Sequence, residues 1–130
     1  MTQSTATFAI SDLAREFGIT PRPIRFWEDQ GILAPERAGS KRVFTRRDRA
    51  RLKMALRGKR LGLSLAEIKD LIGMYNSTAD ETPQLLQCLR VIEKRRAALE
   101  QQREDIEAML AEIAQFEGQC RQELERRNAH

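Results

Sequence analysis

Between Thr20 and Gly31 the chain reads Thr-Pro-Arg-Pro-Ile-Arg-Phe-Trp-Glu-Asp-Gln-Gly, a short run holding a hydroxyl, two guanidinium groups and two aromatic rings. These are groups that recognise nucleic acid: an arginine fork fits guanine O6 and N7 or a phosphate, and a hydroxyl bonds a phosphate oxygen. They do not make a catalyst. The sequence has no paired histidine and carboxylate, no phosphate-binding glycine loop and no nucleophile with an identifiable base, so an enzyme is not expected.

The elements that must position this run are legible around it. Leu13, Ala14 and Phe17 fall at helical spacing, with Ser11 as the expected N-cap and Gly18 as the stop. Thr20 is the expected N-cap of a second helix whose first turn tolerates Pro21 and Pro23, because the first N–H groups of a helix have no partner inside it. A short helix, a glycine and a second capped helix have the shape of a helix-turn-helix. Arg22, Arg25 and Phe26 cannot all be buried on so small an element, and adjacent Phe26 and Trp27 point about 100° apart, so at least one of that pair is expected in the core.

Beyond Gly31, Ile32 to Pro35 and Arg42 to Phe44 bracket a turn at Gly39, which predicts a β-hairpin wing carrying Arg37, Lys41 and Arg42. Pro35 restricts its strand to an edge. Thr45 to Asp48 is a capping box opening a helix toward Leu61 with Leu52, Ala55, Leu56 and Met54 on its apolar side. Ser64 to Glu67 is a second box, and Ile68, Leu71 and Ile72 give its helix a buried stripe running to about Tyr75. The start of that helix, beside Lys59 and Arg60, is a natural seat for phosphate.

Charge supports the same partner. Residues 1–75 carry 15 Lys+Arg against 8 Asp+Glu, whereas residues 76–130 carry 8 against 11. Between Arg37 and Arg60 the single acid is Asp48. The basic end is the one that meets a polyanion, and nucleic acid is favoured over membrane because no apolar run approaches the roughly 20 residues a span needs. Met1 to Thr7 lacks the pattern of a signal peptide, so a cytoplasmic protein is expected.

Residues 77–84 are read as a linker between a DNA-binding domain at 1–76 and a helix at 85–130 with a short tail. Leu85, Leu89, Ile92, Arg96, Leu99, Arg103, Ile106, Leu110, Ile113, Glu117, Cys120 and Leu124 follow alternating steps of four and three, a heptad seam of a coiled coil. A second copy of the chain is the expected cover for that seam, with Leu85, Leu89, Ile92, Leu99, Ile106, Leu110 and Ile113 as dimerisation residues. Arg96 and Arg103 would snorkel or pair with Glu100, Glu104 or Glu107 of the other copy. A pure scaffold would explain the seam but not the basic wing.

These motifs resemble the MerR family of bacterial transcription regulators over Phe8 to Tyr75. Thr20, Ile24, Arg25, Phe26, Glu28, Gly31 and Ile32 match the family's recognition-helix pattern in place, Arg42 and Phe44 match its hairpin, and Arg60-Leu-Gly-Leu-Ser-Leu-Ala-Glu-Ile68 matches its following segment. Pro23 and Trp27 depart from it, removing a hydroxyl and exchanging a phenol for an indole. The resemblance implies an all-α fold with a small β-hairpin: a winged helix-turn-helix followed by a long dimerisation helix in an antiparallel coiled coil. It also implies a homodimer on a pseudo-palindromic operator, acting with RNA polymerase at promoters whose spacer is too long and bending and untwisting that spacer on binding an effector. Arg22 and Arg25 would hold the major groove; Lys41, Arg42 and Phe44 would hold the flanking backbone; Thr20, Phe26, Trp27, Lys59 and Arg60 complete the candidate DNA surface.

The Arg57-Gly-Lys-Arg-Leu-Gly62 segment and the Glu-rich dimer helix are similar to those of regulators of leucine, isovalerate and related branched-chain acyl-CoA degradation. That likeness implies an acyl-CoA or similar catabolic intermediate as effector, and no cofactor is expected. The alternative is a metal- or redox-responsive regulator using Cys88 and Cys120 across the dimer, since within one continuous helix they stand roughly 48 Å apart. Against it, there is no loop with two closely spaced thiols, and the single histidine, His130, is the last residue.

Overall fold

The computed structural model describes residues 6–74 and 82–129. Its elements run β1 (Thr7–Phe8), α1 (Ile10–Phe17), α2 (Pro21–Asp29), β2 (Glu36–Ala38), β3 (Lys41–Thr45), α3 (Arg46–Arg60), α4 (Leu65–Met74) and α5 (Thr82–Asn128). The fold is mostly helical, with one small antiparallel sheet, a helix-turn-helix with a wing, and a long C-terminal helix. The expected end of α4 at Tyr75, most of the expected linker and His130 lie outside the described residues. Thr82 to Gln84, read as linker, are already helical, and α5 continues to Asn128 where a short tail was expected.

Helix α1 begins earlier than its hydroxyl suggested. Ala9 is the capping residue and Ser11 lies in the first turn, because the Asp12 carboxylate accepts the Ala9 N–H at 2.9 Å and so fixes the helix start. The helix ends at Gly18, whose φ of 64° is the left-handed turn that a side chain disfavours. Helix α2 follows with Thr20 in the capping position, but the Thr20 hydroxyl makes no capping bond. Pro23 removes one of the two donors a cap uses: a cap oxygen accepts from the second or third helical N–H, and Pro23 at the third has none.

The sheet differs from the expected hairpin in two ways. Ile32 and Leu33 are not strand residues; their N–H groups return to the Trp27 carbonyl at 3.0 and 3.3 Å, and both side chains are buried. The first wing strand therefore starts at Glu36, after Pro35. A third strand, β1, pairs Thr7 with Thr45 and Phe8 with Phe44, which leaves β3 central in the order β1-β3-β2. Two residues pairing across such a sequence separation leave no local pattern to read.

Both capping boxes form. Thr45 N–H donates to Asp48 Oδ2 at 3.0 Å and Asp48 N–H to Thr45 Oγ1 at 3.1 Å, while Ser64 N–H donates to Glu67 Oε1 at 2.8 Å and Glu67 N–H to Ser64 Oγ at 3.1 Å. The core lies between these helices and the sheet, where Leu13, Ile24, Leu33, Phe44 and Leu52 are fully buried. Each contributes on the order of 1.5 to 3 kcal/mol by leaving water. Helices α3 and α4 close tightly at Gly58, where an added Cβ would stand 2.9 Å from Ile68 Cγ1.

The chain divides into two compact units between Leu89 and Arg90. The second is the remainder of α5, a single helix on which Leu99, Ile106, Leu110, Ile113 and Leu124 are all exposed. No helix among the described residues is long and apolar enough to cross a membrane.

Asp48 is the buried charge of the first unit, 3 % exposed. Besides Thr45 it accepts the Ala34 N–H at 3.0 Å, so Asp48→Ala strands two backbone donors at once. We expect the variant to lose about 2 to 4 kcal/mol of stability in urea unfolding, with Asp48→Asn, which keeps one acceptor oxygen, falling between it and the parent.

Candidate nucleic-acid interface

Helix α2 presents two faces. Ile24 and Trp27, three residues apart, are buried in the core, while Arg22, Arg25, Phe26 and Asp29 repeat at steps of three and four on the outer side. Trp27 was expected among the contact residues, and the structure corrects this: at 2 % exposure its indole is core, the position of Ile24 on the same face having decided it. Phe26 is the exposed member of the doublet. Its ring meets Trp27 edge-on at 5.1 Å between centroids, and Lys59 Nζ lies 5.9 Å from its centroid. That contact brings the end of α3 to the outer face of α2.

Arg22 and Arg25 make no hydrogen bond or ion pair to the described residues, and both are exposed. Thr20, with its hydroxyl not engaged in capping, stands exposed at the start of the same helix. Lys59 and Arg60 are exposed at the C-terminal end of α3, just before the Ser64 cap of α4. This surface offers two guanidinium forks, a hydroxyl, an aromatic edge and further cations to one ligand, a set suited to phosphates and base edges.

The wing is held differently from what its composition suggested. Phe44 was expected to contact backbone; it is fully buried, because strand alternation from exposed Thr45 turns it inward onto the core. Arg42 and Arg37 are direct cross-strand partners, an arrangement in which like charges repel. Glu28 of α2 resolves it: Arg42 Nε donates to Glu28 Oε1 at 2.6 Å and Arg37 Nη2 to Glu28 Oε2 at 3.3 Å. One carboxylate thus ties the recognition helix to both strands of the wing. Lys41, nearer the tip, is exposed.

A second tie joins α1 to α3, where the Arg49 guanidinium grips both carboxylate oxygens of Glu16. The hydrogen bond from Arg49 holds the Glu16 carboxyl below its ordinary value. The contribution of that pair is therefore complete above the ordinary glutamate value and is lost as pH falls from there through the lowered one. Arg49 and Arg42 are structural cations as much as surface ones. Sequence reasoning missed Glu28 as a latch, although an acid one turn beyond Ile24, ahead of a wing with facing arginines, was the available signal.

Cys88 is half-buried and Cys120 exposed. Among the described residues no three or more His, Cys, Asp or Glu side chains gather as a metal site would require.

Residues 8–74 match the profile described as MerR HTH family regulatory protein, and residues 49–116 match that described as MerR, DNA binding. The chain belongs to the MerR family. It is a DNA-binding transcriptional regulator and not an enzyme. It is 27 % identical over 106 residues to the HTH-type transcriptional regulator CueR of Salmonella typhi, covering 77 % of each chain. Its structure is similar to that of a MerR-family transcriptional regulator from Bacillus cereus, with a TM-score of 0.63 and 27 % identity over 82 % of this chain and 76 % of that one. It shares its fold also with HiNmlR, a MerR-family regulator lacking the sensor domain whose structure is bound to promoter DNA, at a TM-score of 0.50 and 23 % identity over 85 % and 78 % of the two chains.

The latch predicts that Glu28→Ala loosens the wing without unfolding the domain. Amide hydrogen exchange at Arg42 to Phe44 should quicken several-fold, in keeping with a loss of about 1 kcal/mol, while the α3 amides keep their protection; unchanged exchange in the wing would show that Glu28 does not hold it.

Proposed function

We propose that the protein acts as a cytoplasmic homodimer that places two α2 helices on a pseudo-palindromic operator and changes the shape of the intervening DNA when an effector binds. The observation that carries this reading is the outer face of α2, where Arg22 and Arg25 are exposed without a partner among the described residues beside a latched basic wing. Arg22 and Arg25 enter the major groove, Thr20 and the Lys59–Arg60 pair meet phosphates, and Lys41 with the outer parts of Arg37 and Arg42 lies on the flanking backbone. Phe26 supports Lys59 and offers an apolar edge to a thymine methyl. Trp27 and Phe44 act from the core by fixing the helix and strand that carry these groups.

Two helices held at a fixed separation read their half-sites directly, and the spacer is read through its deformability. That physics suits a promoter whose polymerase-recognition elements stand too far apart, where untwisting the spacer realigns them for RNA polymerase. The effector in this reading is an acyl-CoA or related intermediate of branched-chain degradation, supported by the likeness of the Arg57-Gly-Lys-Arg-Leu-Gly62 segment and of the Glu-rich α5 to regulators of that chemistry.

Sequencing the DNA retained by the purified protein supplies its operator. On that duplex, affinity should persist as salt rises while affinity for random duplex falls steeply with log salt, and Arg25→Ala should weaken operator binding by about 1 to 3 kcal/mol with its oligomeric state intact. Equal salt dependence for both duplexes would leave only nonspecific binding. Among a panel of short branched acyl-CoA thioesters at least one should shift operator affinity or the DNA bend; no response to any of them removes the effector assignment and leaves the DNA reading in place.

A further inference from the structure

The cations bordering α2 account for DNA contact, and a second set on α3 has no part in it. Asp48 is the one acid of α3 and is buried, so the outer face of that helix carries charge of one sign. Arg46, Lys53 and Arg57 are exposed and make no hydrogen bond or ion pair to the described residues, although Lys53 is near enough to Glu16 to help hold that carboxyl low. Glu16 itself is gripped by Arg49. At 100° per residue the three cations fall within about 40° of one another and span about 17 Å of the helix.

This face does not extend the surface on α2. Lys59, whose ammonium lies 5.9 Å from the centroid of the Phe26 ring, marks the side of α3 turned to the recognition helix. It stands between about 120° and 160° round α3 from Arg46, Lys53 and Arg57. A duplex held by α2 lies on the Lys59 side.

An apolar strip borders the three cations. Ala50, Met54 and Leu61 fall within about 60° of Arg57, on the side away from Lys53; Leu61 closes α3 with right-handed helical torsions, so the same geometry reaches it. Ala50 is exposed, Met54 half-buried and Leu61 46 % exposed. Among the described residues before α5, the large apolar side chains left in water are Phe26 and Leu61. Phe26 belongs to the reading face, and Leu61 does not. A phosphate backbone would use the cations and gain nothing from a leucine. A protein surface uses both, because protein interfaces set arginines around an apolar centre and guanidinium–carboxylate pairs fix their register.

Resting on the reading that the protein works beside RNA polymerase at its promoter, we propose that this face of α3 docks an acidic, amphipathic segment of the polymerase. Carboxylates of that segment meet Arg46, Lys53 and Arg57, and its apolar side chains pack on Leu61 and Ala50. The test places the full-length protein on a duplex that keeps its operator but has the polymerase-recognition elements scrambled, and measures retention of purified bacterial RNA polymerase holoenzyme. The parent should retain polymerase. Arg46→Gln, Lys53→Gln and Arg57→Gln together should weaken retention several-fold and leave operator affinity unchanged, which also shows that the variant is folded. Leu61→Ala, which removes no charge, should weaken retention as well. If the triple variant instead loses affinity for operator and random duplex alike, with the slope of log affinity against log salt reduced by about three, the face is a phosphate track and the proposal is overturned. Retention lost in the triple variant but unchanged in Leu61→Ala leaves a contact of charge alone and overturns the amphipathic partner. A parent that changes transcription from its own promoter yet retains no polymerase on the scrambled duplex overturns the docking surface alone, whereas no effect on transcription in either direction removes the polymerase reading beneath it.

Discussion

The wing and the helices that flank it meet at the carboxylate of Asp48. One oxygen accepts the N–H of Ala34, just before the first wing strand, and the other accepts the N–H of Thr45, where the last strand becomes α3. Both legs of the hairpin are therefore pinned to the first turn of one helix, whose N-terminal dipole also favours the negative charge. Arg51, one turn further on, donates to the Ile32 carbonyl at 3.2 Å and holds the approach to the same hairpin. A buried acid is an expensive way to join three segments unless its lone pairs are filled, and here backbone donors fill them. Without that clamp the β2–β3 ribbon would lean on the two-residue β1 and on ties outside its base, and so short a sheet is marginal in water by itself.

Pinning the base of the wing leaves its inclination free, and Glu28 fixes that. Because Arg37 and Arg42 face each other across the ribbon, the strands carry a repulsion that only an acid from outside can relieve, and α2 supplies it. Recognition helix and wing then move as one body. For a DNA-binding domain this matters, since a helix and wing joined in this way meet the duplex with fewer degrees of freedom to order on binding. The cations fall into two groups as a result. Arg49 and Arg42 hold elements together through Glu16 and Glu28, and Arg22, Arg25, Lys41 and Arg60 face outward.

What the sequence made legible was set by range. The boxes at Thr45–Asp48 and Ser64–Glu67, the Gly18 stop and the stripe of α4 are determined within one or two helical turns, and each lies where its spacing placed it. The start of α1 differs because a carboxylate three residues inside takes the part expected of a hydroxyl. Strand β1 was invisible because its reason for existing is Thr45 and Phe44, far along the chain. At the site, Arg22, Arg25 and Phe26 could not all be buried on so short a helix, so some had to face outward, but which of Phe26 and Trp27 is core required the core itself. Phe44 differs for the same reason: a strand residue beside a basic turn looks like a contact until the sheet has a second side.

Helix α5 poses the complementary problem. At 47 residues it spans about 70 Å, and its apolar positions from Leu99 to Leu124 stay exposed in a single chain. Propensity and surface pairs such as Arg126 with Glu123 supply only tenths of a kcal/mol each, which cannot offset the solvation of such a stripe. Arg96, Arg103 and Glu117 interrupt that stripe, so the helix carries charge where a continuous apolar seam would cover more area. Charged interruptions of this kind weaken a seam where they stand, and they are also the means by which a helix discriminates among partners and registers.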